Sequence, residues 1–167
     1  MRTILSKLKT REQISHLCEQ LRNQGKKIVT TNGVFDLLHV GHVTYLENAR
    51  ALGDVLVVGI NSDASVRRIK GPKRPLNEEH ARACCIAALE CVDFVIIFDE
   101  DTPVSFLEQA RPTIHVKGGD YLGKEDRMVE KEIVASYGGR IELKGMVKGY
   151  STTSLIEKIV KTYGKSY

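Results

Sequence analysis

His39 and His42 stand three positions apart with Gly41 between them, in the segment TTNGVFDLLHVGH that follows an apolar run. At a helix start this spacing projects both imidazoles from one face, and Gly41 leaves the backbone open to close approach by a ligand. Two ring nitrogens beside a helix N-terminus suit a single anion. Neither the dinucleotide fingerprint GxGxxG nor the Walker pattern GxxxxGK occurs in the chain, so phosphate has to be held in another way. The same HxxH spacing also serves zinc, or simply two polar residues at a turn. Zinc needs a third and usually a fourth ligand, and His16, His80 and His115 form no obvious set with the pair, so no metal site is assigned.

A second candidate anion site lies at GYSTTS, Gly149 to Ser154. Ser151 can cap a helix there, while Thr152, Thr153 and Ser154 place hydroxyls beside free backbone N–H groups. Such residues cap most helices for stability alone, and both readings stand. Between the two motifs runs RRIKGPKRPLNEEHAR, with Arg67, Arg68, Lys70, Lys73 and Arg74 around Gly71, Pro72 and Pro75. Read as a flexible basic loop it clamps a triphosphate, and read as an ordinary charge run it is solvated surface. Asp36, Asp63 and Asp120 suit metal, ribose or sugar binding, or equally the capping of a helix or the fixing of a turn. Arg82, on a helix, either reaches phosphate or forms a surface ion pair.

These residues need elements to position them. Thr10 and Gln13 make a capping box for an opening helix that carries Ile14, Leu17, Cys18 and Leu21 on one face and stops at Gly25. Short apolar runs then predict strands at Lys27–Thr31, Val55–Ile60, Phe94–Phe98, Ile114–Lys117 and Ile141–Lys144. Helical stretches fall between them, near Gly41–Leu52, Glu78–Glu90, Val104–Gln109, Lys124–Tyr137 and Thr152–Tyr163. Alternation of this kind implies an α/β fold: a Rossmann-like, doubly wound, parallel five-stranded sheet in a single domain. The division is residues 1–25, an N-terminal helix packed on the domain, and residues 26–167, the domain itself. Ligands in such sheets sit outside the carboxyl ends of the strands, where the motifs above fall.

At 167 residues the chain fits one domain, since domains commonly run about 100 to 150 residues. Lys and Arg total 25 against 21 Asp and Glu, and this mild, scattered excess suits a small anionic substrate. Nucleic-acid binding calls for a denser basic stripe with stacking aromatics, whereas this chain has no Trp and 6% aromatic residues. No apolar run approaches the ~20 residues that span a bilayer, and the N-terminus has no apolar signal core. Cys18, Cys84, Cys85 and Cys91 form no CxxC pair and read as reduced thiols, which places the protein in the cytoplasm.

GVFDLLHVGH resembles the GxFDxxHxGH signature of the cytidylyltransferase-like enzymes of the HIGH nucleotidylyltransferase superfamily. NSD at Asn61–Asp63, the basic stretch with RP, Arg82, VKGGDY at Val116–Tyr121 and GYSTT at Gly149–Thr153 follow in matching order. Within the superfamily, IKGPKRPLN, ALECVDFV, FDEDTP, VKGGDY and the closing STT look most like D-glycero-β-D-manno-heptose 1-phosphate adenylyltransferases, including the nucleotidyl domain of the bifunctional heptose enzyme. Glycerol-3-phosphate cytidylyltransferases resemble it less: their closing RTxGISTT begins with an arginine where this chain has Met146, with Lys148 two residues later.

The resemblance implies transfer of AMP from ATP to a heptose 1-phosphate, giving ADP-heptose and pyrophosphate. It makes His39, His42 and Lys70 the catalytic residues. Gly33, Val34, Phe35, Asp36, Gly41, Lys117, Gly118, Ser151, Thr152 and Thr153 would bind the nucleotide. Asp63, Lys73, Arg82 and Asp120 would bind the sugar phosphate. Mg²⁺ would accompany the triphosphate, and the partners would be ATP or a related triphosphate and a sugar phosphate, with no nucleic acid and no membrane. A homo-oligomer is expected. With no kinase domain ahead of the motif, the chain reads as a stand-alone transferase supplied by another enzyme. Glycerol-3-phosphate cytidylyltransferase, a GTP-using relative and a non-enzymatic nucleotide-binding regulatory module are the alternatives.

Overall fold

Each apolar run becomes one strand of a single sheet. β1 (Ile28–Gly33), β2 (Val55–Asn61), β3 (Phe94–Phe98), β4 (Ile114–Gly118) and β5 (Arg140–Lys144) lie in the order β3-β2-β1-β4-β5, and every pairing is parallel. The computed structural model describes residues 3–118, 128–145, 147 and 149–164. β2 is buried at every position, as an unbroken apolar run requires of a strand covered on both faces.

The helices are α1 (Ile4–Lys7), α2 (Arg11–Asn23), α3 (Val40–Arg50), α4 (Asp63–Lys70), α5 (Glu79–Ala87), α6 (Val104–Ala110), α7 (Glu130–Ser136) and α8 (Thr152–Tyr163), of which α2, α3, α5, α6 and α7 supply the coverage. On one face Leu46 and Ala49 of α3 and Ala83, Ile86 and Ala87 of α5 pack over Val29, Leu56, Val58, Ile114 and Val116. On the other, Ile14 and Cys18 of α2, Phe106, Leu107 and Ala110 of α6 and Val134 of α7 cover Ile28, Val57 and Ile96. The fold is thus the expected α/β Rossmann-like sheet with helices on both sides. The capping box at Thr10 and Gln13 opens α2, and Gly25, at φ 71°, follows its end.

Three elements differ from their expected form, the first being α1, a short helix ahead of the one expected to open the chain. Residues 67–70, read as the start of a basic loop, form the end of α4, which opens at Asp63. The Ser62 side chain accepts from Ser65 N at 3.0 Å, Ser65 and Val66 are buried, and Arg67, Arg68 and Lys70 fall in the last turn, where cations favour the helix dipole. The helix expected from Lys124 begins at Glu130 among the described residues, and 124–127 lie outside them.

Strand order reverses between β1 and β4, so the crevice at their carboxyl ends is the switch point where such sheets bind ligands. Tyr45 of α3 locks it. Its hydroxyl donates to Val116 O of β4 at 2.9 Å and lies 2.7 Å from Thr31 Oγ1 of β1. With its one proton committed to Val116, it accepts from Thr31.

Candidate active site

The segment between β1 and α3 carries the histidines, and its geometry is set by Phe35. That residue takes φ 49°, a region L-residues rarely enter, at the tightest point of the turn. The ring then meets His42 edge-on, with centroids 5.3 Å apart. His39 is the N-cap residue of α3 but makes no side-chain cap bond, and its ring stacks on His42 at a centroid distance of 3.8 Å. Gly41 keeps this stack intact, because a Cβ there would come within 3.0 Å of the His39 ring.

Burial pushes His42 down to about 4, with the nearby His39 adding to the effect, and burial lowers His39 as well. Both rings are therefore neutral at pH 7, which is how two imidazoles tolerate stacking. Each Nδ1 is buried with no hydrogen-bond partner. The same hypothetical Gly41 Cβ lies 3.6 Å from Tyr150 Cβ, so Tyr150, two residues ahead of α8, lies close to the first turn of α3. Each helix start favours negative charge.

Beside them opens a cavity of about 460 Å³ at the switch point. Of the residues singled out in the sequence, Gly33, Val34, Phe35, Gly41, His42, Lys70, Lys117 and Gly118 line it. Asn32, Tyr45, Thr102 and Glu130 line it too without having been assigned a role from the sequence, and Asn61 does so from the NSD motif. Asn32 had a signal in its place directly before the motif. Glu130 sat in the charge run EKE, with nothing to set it apart from surface.

Asp36 and Arg82 are placed behind the cavity wall. The Asp36 side chain is fully buried and accepts from Arg74 Nε at 2.6 Å, Leu76 N at 2.8 Å and Asn77 N at 3.0 Å. It ties the end of the basic stretch to the histidine motif. Arg82, 1% exposed, donates to Val34 O, Asn61 O, Asn77 O and Asp63 Oδ1 at 2.7 to 2.9 Å. This excludes the surface ion pair considered for it. One guanidinium joins the carboxyl ends of β1 and β2 to the starts of α4 and α5, and its planar fork suits that task. Asp63 is its partner and lines a separate groove with Arg67 and Glu79.

Ser151 caps α8. Its hydroxyl accepts from Ser154 N at 3.0 Å, and Ser154 reciprocates to Ser151 N at 3.1 Å. Thr152 and Thr153 are the hydroxyls left beside the free N–H groups. Lys73 is exposed on the stretch after α4. Asp120, Met146 and Lys148 lie outside the described residues. Among the described residues no group of three His, Cys, Asp or Glu is arranged to hold a metal ion, and no helix is long and apolar enough to cross a membrane.

A parallel sheet with its cavity at the switch point, bordered by a GxFDxxHxGH turn, defines a Rossmann-like α/β domain. Residues 30–158 match the cytidylyltransferase-like family, and the chain belongs to that family. It is 54% identical over 160 residues to a protein of Geobacter sulfurreducens named bifunctional protein HldE, covering 96% of this chain and 32% of that one. The protein of the same name from Syntrophotalea carbinolica is 55% identical over 158 residues, 95% of this chain and 32% of that one. The chain thus spans about a third of the length of these relatives. Among solved structures, the lipopolysaccharide core biosynthesis protein of Thermoplasma volcanium superposes with a TM-score of 0.62 at 31% identity, over 76% of this chain and all of that one.

Proposed function

We propose that this chain transfers AMP from ATP to a heptose 1-phosphate, releasing pyrophosphate and forming ADP-heptose. The observation that carries the reading is the stacked, neutral histidine pair at the mouth of the switch-point cavity, beside the start of α8. Identity of 54% across nearly the whole chain to proteins named bifunctional HldE supports the choice of substrate.

The reaction needs little from the protein beyond position and polarity. A phosphate oxygen of the sugar phosphate, already ionised at neutral pH, attacks the α-phosphorus of ATP in line. The new P–O bond forms as the bond from the α-phosphorus to the bridging oxygen breaks, and pyrophosphate leaves with that electron pair. No proton has to move, so no general base is required. His39 and His42 each offer an N–H to the α-phosphate and the leaving group, where hydrogen bonds to developing charge are strongest. Lys70, in the last turn of α4, adds a cation from the cavity wall. Thr152 and Thr153 bind phosphate at α8, and Gly33, Val34, Phe35 and Gly118 shape the nucleotide pocket. Asp36 fixes the basic stretch behind them. Lys73 and Asp120 contact the sugar phosphate, and Arg82 with Asp63 holds that side of the site in shape.

The family's nucleotide substrates come with a divalent metal, here Mg²⁺. Mg²⁺ keeps several waters and binds through substrate phosphates, so it fits a site whose described residues form no protein cage. It would shield charge on the pyrophosphate when bound. Four free thiols support a cytoplasmic location. The uncovered apolar side of α8, with Ile159, Val160 and Tyr163 exposed, supports a homo-oligomer.

The test is a matrix of ATP, GTP and CTP against heptose 1-phosphate and glycerol 3-phosphate, read as pyrophosphate release. ATP with heptose 1-phosphate is expected to be fastest and to yield ADP-heptose. A best rate with CTP and glycerol 3-phosphate would overturn the substrate assignment and leave the nucleotidyl-transfer chemistry standing.

A further inference from the structure

The cavity holds a second cluster that the transfer chemistry does not use. Lys117 Nζ of β4 donates to Glu130 Oε1 at 2.6 Å and to Asn32 Oδ1 of β1 at 3.3 Å. The Lys117 and Glu130 side chains are 7% and 5% exposed, and all three residues line the cavity. Taking both charges of an ion pair out of water costs several kcal/mol per ion, and apolar side chains of similar volume often stabilise a fold as well or better. Stability alone is a poor reason to place such a pair in the wall of a cavity.

Its chemistry is also wrong for phosphate alone. Phosphate oxygens accept and do not donate, so they meet the Glu130 carboxylate as like charge. Asp101, the other carboxylate among the described lining residues, is exposed and paired with Arg68 at 2.7 Å. A sugar hydroxyl both donates and accepts. A carboxylate and an ammonium held next to one another, with an amide beside them, satisfy both of its roles. Buried and preformed, they reject a ligand lacking that hydroxyl far more strongly than an apolar wall does.

We propose that Glu130, supported by Lys117 and Asn32, is a specificity-determining residue that recognises a hydroxyl of the polyol portion of a bound substrate. The inference rests on the sugar-phosphate nucleotidyltransferase reading. The hydroxyl belongs either to the ribose of the nucleotide or to the sugar of the acceptor, and the experiment separates the two.

Wild type and Glu130→Gln are compared by calorimetry, so that binding is read without turnover. One arm uses ATP, 2′-deoxy-ATP and 3′-deoxy-ATP. The other uses heptose 1-phosphate and analogues each lacking one ring hydroxyl. In wild type, loss of the contacted hydroxyl is expected to weaken binding about tenfold or more, the effect of removing a partner from a charged group. In Glu130→Gln the same loss is expected to cost no more than about threefold, since a neutral amide oxygen is the weaker acceptor. The arm that responds names the source of the hydroxyl. If every deoxy analogue loses the same factor in both proteins, or if Glu130→Gln changes only the melting temperature, the proposal is overturned. Should that variant fail to fold, Glu130→Gln/Lys117→Met, which leaves no uncompensated charge in the wall, carries the same comparison. Pyrophosphate release by wild type, followed in parallel, tests the transferase reading on its own. A protein that releases none yet shows the Glu130-dependent hydroxyl effect keeps this inference and loses that reading.

Discussion

In the proposed transfer His39 and His42 act as neutral donors. The lowered affinity of both rings for protons leaves each with one N–H and no fixed positive charge. A donor of this kind is most effective when it is already aimed, and here the aim is set by the stack itself, by the Phe35 edge and by Gly41. His39→Ala and His42→Ala are each expected to lower kcat roughly 100-fold or more, as removal of one preorganised transition-state donor does. Melting temperature should move little, since both rings are only half-buried. Near wild-type turnover in either variant, or stoichiometric zinc held by the two rings, would remove them from the mechanism. These residues were legible in the sequence because spacing alone brings them together. Asp36 and Arg82 were visible as candidates, but their work depends on partners as far as 38 and 48 positions away, Arg74 and Val34. No local pattern reports that a guanidinium will be buried against three backbone carbonyls.

At the scale of elements the strands were the most readable part, because a strand buried on both faces is dominated by apolar residues: β2 is apolar up to its last residue, Asn61, and β4 keeps Ile114 and Val116 while carrying His115 and Lys117. Helix α8 was read from Thr152 to Tyr163 and is found there, since its cap and its apolar stripe are both local signals. Helix α4 was missed for the converse reason: in DASVRRIK only Ser65 and Val66 reach the interior, so the charges dominate the pattern. The start of α8 also divides the labour among its hydroxyls. Ser151 is engaged in a reciprocal capping box, whereas Thr152 is not part of it. Ser151→Ala is therefore expected to destabilise the helix by about 1 kcal/mol. Thr152→Ala is expected to weaken ATP binding by about three- to tenfold with little change in melting temperature. Melting and calorimetric titration of both variants separate the two roles. Loss of stability without loss of affinity in Thr152→Ala would make α8 a capped helix with no phosphate role.

For the whole molecule, the strongest consequence of the fold is its response to acid. His115 lies in the middle of the sheet, fully buried, its Nδ1 2.9 Å from Thr30 Oγ1 and its Nε2 without a partner. Burial, reinforced by Lys117 two residues along the strand, pushes it down to about 3. In the unfolded chain a histidine titrates near ~6.5. Between those values the unfolded state binds a proton that the folded state refuses, so His115 contributes stability that is full above ~6.5 and is lost as pH falls toward 3. The slope from one such group is roughly 1 kcal/mol per pH unit. His42 acts in the same direction down to about 4, with a smaller share because its ring is partly open to solvent. Carboxylates such as Glu100, which Arg11 holds below its usual range, lose their contribution only at lower pH, which leaves the interval from 6.5 to 5 to the histidines. Urea unfolding across that interval should show stability falling steadily with pH in wild type. In His115→Gln, where an amide can still meet Thr30, the slope should flatten by close to one proton even if the variant is less stable at pH 7. An unchanged slope would mean that His115 is protonated in the folded protein after all, with its charge met by a group that the neutral ring does not touch.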